Sequence, residues 1–327
     1  MATSYFDGKN ILITGGTGSF GNRFIARLLK EHKPKKVIVF SRDELKQSQM
    51  QERITDLRMR YLVGDIRDLP RLQRAFHGVH IVVHAAALKQ VPTLEYNPFE
   101  AVQTNVIGAE NIINAAIDQG VERVVALSTD KAVNPANLYG ATKLCMEKLF
   151  ISGNSYAAGE KTRFSVVRYG NVVGSRGSVV PLFLKKREEG VLPITDERMT
   201  RFWITLDQGV DLVLYAAERM VGGEIFVPKI PSMKVIDLAK VLGPKCKTKI
   251  VGIRPGEKLH EVLLTEEESA RTVDAGSVFV IKPLFNWWDS RNWNGGKSVP
   301  AGFRYASDSN DKWLEARELE AMVKSLS

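Results

Sequence analysis

A chain of 327 residues, 44% hydrophobic and 25% charged with only two cysteines, can bury a large core and is neither a disordered chain nor a disulfide-stapled miniature. No run approaches the roughly 18 apolar residues of a membrane span and the opening MATSYFDGKN is too polar for a secretory signal, so a cytoplasmic protein without membrane insertion is expected. The net charge of +9 fits a nucleic-acid surface or a site for several phosphates; residues 1–65 hold 12 Lys/Arg against 7 Asp/Glu with the signs interspersed, which favours phosphates and argues against a nucleic-acid partner.

In chain order, the apolar strand NILIT runs into Gly15-Gly16-Thr17-Gly18-Ser19-Phe20-Gly21, and FGNRFIARLLKEH follows as a helix whose amino end faces that loop. Glycines spaced three apart permit a tight turn and let backbone N–H groups approach an anion, and the helix terminus adds favourable partial charge. This strand–turn–helix context reads as a dinucleotide pyrophosphate site, against the alternative of a plain βα turn. The second strand, KVIVFS, ends about twenty residues after the last loop glycine, where an NAD enzyme usually places an acid on the ribose hydroxyl. Here Ser41 and Arg42 come first. A hydroxyl with a guanidinium suits a 2′-phosphate, so NADP is expected, while Asp43 one step later leaves NAD open. A charged helix, the strand RYLVGD, another helix and HIVVHAAA continue the series; Asp65, ending the third strand, either accepts from the adenine amine or caps the next helix.

A long helix near 97–119, the strand RVVALS, a helix beginning close to Asn137 and the strand FSVVRYGNVV complete an α/β pattern. The expected fold is a Rossmann-like, doubly wound parallel sheet covered on both faces, binding ligands at its carboxyl edge, with a smaller substrate-binding lobe. After residue 171 the rhythm loosens into VVGSRGSVVP, MTRFWITLDQG, GGEIFVPKIP and GIRPGEKLHE. Residues 1–171 are therefore assigned to the dinucleotide-binding domain, which the stretch of about 206–230 can join, and 172–327 mainly to the lobe and a tail. Trp287, Trp288 and Trp293 beside Arg291 are expected to pack onto the body rather than stack on bases. Cys145, within a predicted helix, reads as a buried thiol; neither it nor Cys246 has metal-ligand spacing, and no metal is expected. His84 and His260 read as packing or hydrogen-bonding residues.

The chemistry concentrates at Leu127-Ser128-Thr129-Asp130-Lys131, closing the fifth strand, and at Tyr139-Gly140-Ala141-Thr142-Lys143, opening the next helix. Four-residue spacing puts Tyr139 and Lys143 on one helical face, where they can share a ligand. A phenol with a reference pKa of about 10 serves as a base near neutrality only if its phenolate is favoured by roughly 4 kcal/mol, which Lys143 and an oxidised nicotinamide can supply. The bland alternative is a pair of unrelated surface residues, since Y-x-x-x-K recurs by chance.

These residues resemble the extended short-chain dehydrogenase/reductases, whose TGxxGxxG loop matches Thr14 to Gly21 and whose Tyr–Lys pair matches Tyr139 and Lys143. The string LSTDKAVNPANLYGATK, with AAALKQVP upstream and RYGNVVGSRGSVVP, MTRFW and RPGEKLHE downstream, is similar over nearly the whole chain to the inverting UDP-N-acetylglucosamine 4,6-dehydratases of bacterial pseudaminic acid and capsule sugar pathways. The resemblance implies an NADP-dependent lyase acting on a UDP-sugar, with Tyr139 as the base at C4, Lys131 as the base at C5 and Asp130 as the acid at C6; Thr129 joins this catalytic set. A lysine base must be neutral, and burial beside the nicotinamide and Lys143 is expected to lower its pKa while keeping Asp130 protonated. The cofactor set is Gly15, Thr17, Gly18, Ser19, Phe20, Gly21, Ser41, Arg42, Asp43, Lys46, Asp65, Ile66, Ala85, Lys89, Tyr139 and Lys143. The substrate set is Lys89, Asn171, Arg201, Arg254 and Glu257, the two arginines facing phosphates. A homo-oligomer is expected. The rivals are a nucleotide-sugar 4-epimerase, which needs no acid–base pair at C5 and C6, a 5-epimerase, and a cofactor-sensing regulator that could dispense with Tyr139 or Lys143.

Overall fold

The sheet is built from the apolar runs in the order read from the sequence. In the computed structural model, which describes residues 4–157, 161–174, 178–285 and 293–324, the first half comprises β1 (Asn10–Thr14), α1 (Ser19–Glu31), β2 (Lys36–Ser41), α2 (Glu44–Arg53), β3 (Met59–Val63), α3 (Leu69–Phe76), β4 (Ile81–His84), α4 (Val91–Tyr96), α5 (Pro98–Val102), α6 (Gly108–Asp118), β5 (Arg123–Thr129), α7 (Leu138–Tyr156) and β6 (Arg163–Tyr169). The six strands are parallel in the order 3-2-1-4-5-6. That order reverses between β1 and β4, the switch point at which such sheets bind ligands beyond their carboxyl ends. Ile11, Leu12, Ile13, Val82, Val83, Val124 and Val125 are buried, as a sheet covered on both faces requires.

Two expectations change here. The helix expected near 97–119 is interrupted: α4 ends at Tyr96, Pro98 opens α5, and a π turn at Gln103–Ile107 precedes α6. At that turn the Asn105 side chain clamps the backbone of Leu88 through both N–H and C=O, at 2.9 Å each. The strand expected as FSVVRYGNVV divides at Gly170, where a Cβ would stand 2.6 Å from the Phe202 Cβ. The remainder, β7 (Asn171–Val172), leaves the main sheet.

The second half continues with α8 (Val179–Lys186), β8 (Val191–Ile194), β9 (Thr200–Ile204), α9 (Leu206–Arg219), β10 (Ile225–Pro228), β11 (Ser232–Lys234), α10 (Val235–Leu242), β12 (Lys247–Ile250), β13 (Val262–Leu264), α11 (Glu266–Ser269), β14 (Thr272–Asp274), β15 (Val278–Ile281), β16 (Lys297–Ser298), β17 (Tyr305–Ala306) and α12 (Ala316–Lys324). β10 adds to β6 in parallel, and β15, β14 and β16 follow antiparallel, extending the main sheet to ten strands. α9, opened by a capping box of Thr205 and Gln208, ties back to α1 through Arg23–Asp207 and Arg27–Asp211, both at 2.6 Å. The other strands form small sheets, β11-β9-β7, β12-β8 and β13-β17. A second apolar cluster gathers Phe183, Trp203, Met233, Leu238 and Leu319 apart from the main core.

Cys145 is exposed rather than buried: α7 buries Thr142, Lys143, Met146, Glu147 and Phe150, and position 145 falls on the opposite side. Trp293 packs edge-on against Phe226 at 5.4 Å between ring centroids, whereas Trp287, Trp288 and Arg291 lie outside the described residues. No described helix is long and apolar enough to cross a membrane.

Candidate active site

A cleft of about 750 Å³ opens at the carboxyl edge of the sheet. Its floor is the glycine loop, and the glycines are there for space. Gly15 has φ +66°, and a Cβ on it would stand 2.9 Å from the Ala86 backbone; a Cβ on Gly21 would meet the Gly16 Cα at 2.5 Å. The cradle therefore carries no side chain over the start of α1, which also lacks a side-chain cap, as a pyrophosphate needs. The buried hydroxyls of Ser128 and Thr104, both on the cleft wall, have no hydrogen-bond partner in the described protein and are available to a ligand. These features fit a bound dinucleotide. All sixteen residues of the expected cofactor set line the cleft.

At the ribose end, the Ser41 hydroxyl accepts from Gln47 at 3.0 Å, the Arg42 guanidinium lies 3.5 Å from the Asp65 carboxylate, and Asp43 caps α2 while pairing with the Lys46 ammonium. Of the two roles read for Asp65, the cap of α3 is taken by Asp68 instead.

At the chemical end, β5 closes on Thr129 and the chain makes one 3-10 turn over Asp130–Ala132. The Asn137 side chain caps α7 by accepting from the Gly140 amide at 2.8 Å, and Gly140 packs so tightly on the Lys131 carbonyl that a Cβ would overlap it. Tyr139 is thereby brought beside the turn. Asp130 is fully buried; its Oδ1 accepts from the Thr129 hydroxyl and the Lys131 ammonium, each at 2.9 Å, and its Oδ2 is unpaired. Burial holds the Asp130 carboxyl above the ordinary carboxylate range, against the pull of Lys131.

The electrostatics correct two expectations. Lys131 is not driven toward neutrality: burial acts in that direction, but Asp130 and Glu261, whose Oε1 lies 3.6 Å from the amine, outweigh it and hold the lysine above its usual range. Tyr139 is pushed up to about 12 by burial, and the groups that counteract this are Lys131 and the Thr129 hydroxyl rather than Lys143. Lys143 donates to the Leu127 carbonyl at 2.6 Å, and burial brings it down to about 8.

Of the expected substrate residues, Lys89 and Asn171 line the cleft, and Asn171 accepts from Lys131 at 3.3 Å. Arg201, Arg254 and Glu257 do not. The buried Arg201 guanidinium donates to the carbonyls of Thr200, Lys258 and Leu259 at 2.7, 3.0 and 3.1 Å, and the exposed Arg254 lies 3.9 Å from Glu257. Sequence reasoning missed Glu261, only 3% exposed, together with Lys258, Thr104 and Tyr169. Glu261 and Lys258 belong to RPGEKLHE, a segment that was singled out for its other charges. His84 and His260 hydrogen-bond to the hydroxyls of Thr14 and Thr200, both at 2.8 Å. Among the described residues no His/Cys/Asp/Glu cluster could hold a metal ion.

A parallel sheet in this order, a glycine cradle at its switch point and a Tyr–Lys pair opening the helix after β5 define an extended short-chain dehydrogenase/reductase fold. The chain belongs to the family described as polysaccharide biosynthesis protein, whose model matches residues 11–283. It is 53% identical to the UDP-N-acetylglucosamine 4,6-dehydratase (inverting) of Campylobacter jejuni, covering 97% of this chain and 98% of that one. It is 42% identical to the UDP-glucose 4-epimerase of Rickettsia felis, covering 98% and 97%. Among solved structures, Pen from Bacillus thuringiensis superposes with a TM-score of 0.91 at 40% identity, covering 99% of this chain and all of that one. The dTDP-glucose 4,6-dehydratase DesIV from Streptomyces venezuelae superposes with a TM-score of 0.67 at 25% identity, covering 76% and 86%.

The expectation of NADP is corrected by these relatives, since DesIV was solved with NAD bound.

Proposed function

We propose that this protein is a lyase that removes water from UDP-N-acetylglucosamine by 4,6-dehydration with inversion at C5, using NAD and yielding a UDP-linked 4-keto-6-deoxy sugar. The near-full-length likeness to the Campylobacter enzyme supports the substrate, and DesIV supports the cofactor. The observation that carries the reading is the juxtaposition of Tyr139 and Lys131, which line the cleft, with Asp130, which is fully buried outside the cleft lining and bonded to Lys131 at 2.9 Å. A simple exchange of hydride at C4 has no use for such a pair.

Tyr139 takes the proton of the sugar C4 hydroxyl. Holding a free phenolate at pH 7 against a pKa of about 12 would cost about 7 kcal/mol, so this proton leaves together with the C4 hydride rather than before it. A dinucleotide held by the glycine loop would supply the hydride acceptor at C4 and the hydride donor at C6. The C4 ketone acidifies the C5 hydrogen, which the Lys131 amine removes. Asp130, whose hold on a proton burial strengthens, gives its proton to the C6 hydroxyl, which departs as water. C5 then takes a proton from solvent on its other face, Lys131 passes the proton it removed to Asp130 across their 2.9 Å hydrogen bond, and Tyr139 releases its proton, so each group is restored. Thr129 orients Asp130, and Lys89 and Asn171 line the sugar side. Residues 1–171 with α9 and β10 are taken as the dinucleotide-binding unit and the remainder of the second half as the substrate lobe.

Proton NMR of UDP-N-acetylglucosamine incubated with the protein and NAD in deuterated water tests the reading. A 6-deoxy methyl signal, deuterium at C5 and ring couplings of the inverted sugar are expected; a C4 epimer with no methyl group would establish the epimerase instead. Lys131→Ala is expected to retain dinucleotide affinity and to lose C5 deuterium uptake by 10²-fold or more, on the order of a general base's contribution. Uptake at the normal rate would remove Lys131 from the mechanism.

A further inference from the structure

Glu261 has no role in the chemistry above, yet it is buried where buried carboxylates are costly. It belongs to the segment leading into β13, and its backbone is fixed on both sides by Ser307, whose hydroxyl accepts from the Glu261 amide at 2.9 Å and whose amide donates to the Glu261 carbonyl at 2.8 Å. From there the carboxylate reaches three cations: Lys258 at 3.3 Å, Lys131 at 3.6 Å and Arg201 at 3.8 Å. Only Lys131 of these four residues lines the cleft.

We propose that Glu261 is the positioning residue of the C5 proton transfer, a counter-ion delivered from the second half of the chain that holds the Lys131 amine at the cleft wall and that the lysine must outcompete to become a base. The proposal rests on Lys131 being that base. The Lys131 amine faces Asp130 from its own turn, Tyr139 from α7, Asn171 from β7, Lys89 across the cleft, and Glu261 with Arg201 from the lobe. With Asp130 protonated as the acid, Glu261 is the anion that opposes deprotonation of Lys131, and Arg201 and Lys89 favour it. Arg201 and Lys258 share the Glu261 charge and so weaken its hold on Lys131. With Asp130 reserved as the acid, Glu261 is the anion that sets how readily Lys131 gives up its proton.

The sign follows. Removing the Glu261 charge makes neutral Lys131 easier to form, so the acid limb of C5 exchange, where Lys131 must lose a proton, moves to lower pH. The test is the pH profile of C5 deuterium uptake from UDP-N-acetylglucosamine, in wild type, Glu261→Gln and Glu261→Asp, with NAD affinity as the check on folding. Glu261→Gln is expected to move the acid limb down by about one pH unit or more, and Glu261→Asp, which holds the charge farther from Lys131, to move it down by a smaller amount. A Glu261→Gln protein that binds NAD normally but keeps its acid limb in place, or moves it up, overturns the proposal. If Glu261→Gln fails to bind NAD, the same readout on Glu261→Asp decides: a limb shifted down by a smaller amount supports it and an unmoved limb overturns it. Failure of the underlying reading is separate, since Lys131→Ala would then exchange normally.

Discussion

His84 stands at the end of β4 with its ring stacked on Phe150 at 5.6 Å between centroids and its Nδ1 on the Thr14 hydroxyl. Burial, with repulsion from Lys143, brings it down to about 3, so it folds neutral while the unfolded chain protonates near 6.5. A depressed folded pKa means stability is lost as pH falls below about 6.5, by up to about 1.4 kcal/mol per pH unit. His84→Gln is expected to flatten that slope, read as urea midpoints between pH 6.5 and 4.5; parallel curves for the two proteins would contradict it. At this scale the sequence showed what is local. The loop glycines, Tyr139 with Lys143, and the Asp130–Lys131 pair are legible because their spacing is fixed by one turn of chain. Glu261 was not, because its partner Lys131 is remote in sequence and meets it only through the fold. Nor could the charge on Lys131 be read, since the carboxylates that raise it dominate the burial that lowers it.

Among the elements, the βα turn after β1 is the most sharply determined. Gly21 lies against Gly16 so closely that Gly21→Ala must force the loop and α1 apart. NAD affinity is expected to fall at least tenfold while the far-ultraviolet circular dichroism is kept; unchanged affinity by fluorescence titration would show that the cradle is looser than drawn. The alternation of strands and helices through β6 was legible from periodicity, because a sheet buried on both faces writes continuous apolar runs. The breaks were not. A π turn and a strand division at Gly170 depend on Asn105 reaching Leu88 and on Phe202 crossing overhead, and these are tertiary contacts that leave no period. The stretch of about 206–230, which holds β10, reads in the sequence as able to join the dinucleotide-binding domain, but the placement of β15 in the main sheet was hidden, since short apolar strands do not name their neighbours.

Over the whole molecule, Arg168 joins the two halves of the chain. Only 2% exposed, it pairs with Glu147 of α7 at 2.7 Å and with Glu268 of α11 at 3.0 Å, and donates to the Leu263 carbonyl of β13 at 2.9 Å. Arg168→Ala leaves Glu147 buried without its counter-ion and is expected to cost about 3–5 kcal/mol, measured by urea unfolding; a loss below 1 kcal/mol would mean the cluster is not a fastening.

The sheet order also bears on how the chain is made. Strand β6 is finished by residue 169, but the strands that cover its outer edge, β10 and then β15, are not complete until residues 228 and 281. For more than fifty residues of synthesis a nascent polypeptide leaving the ribosome displays a bare, apolar strand edge, the kind that recruits neighbouring chains. A ribosome stalled in that interval would release an aggregation-prone fragment, and chaperone capture is most useful there.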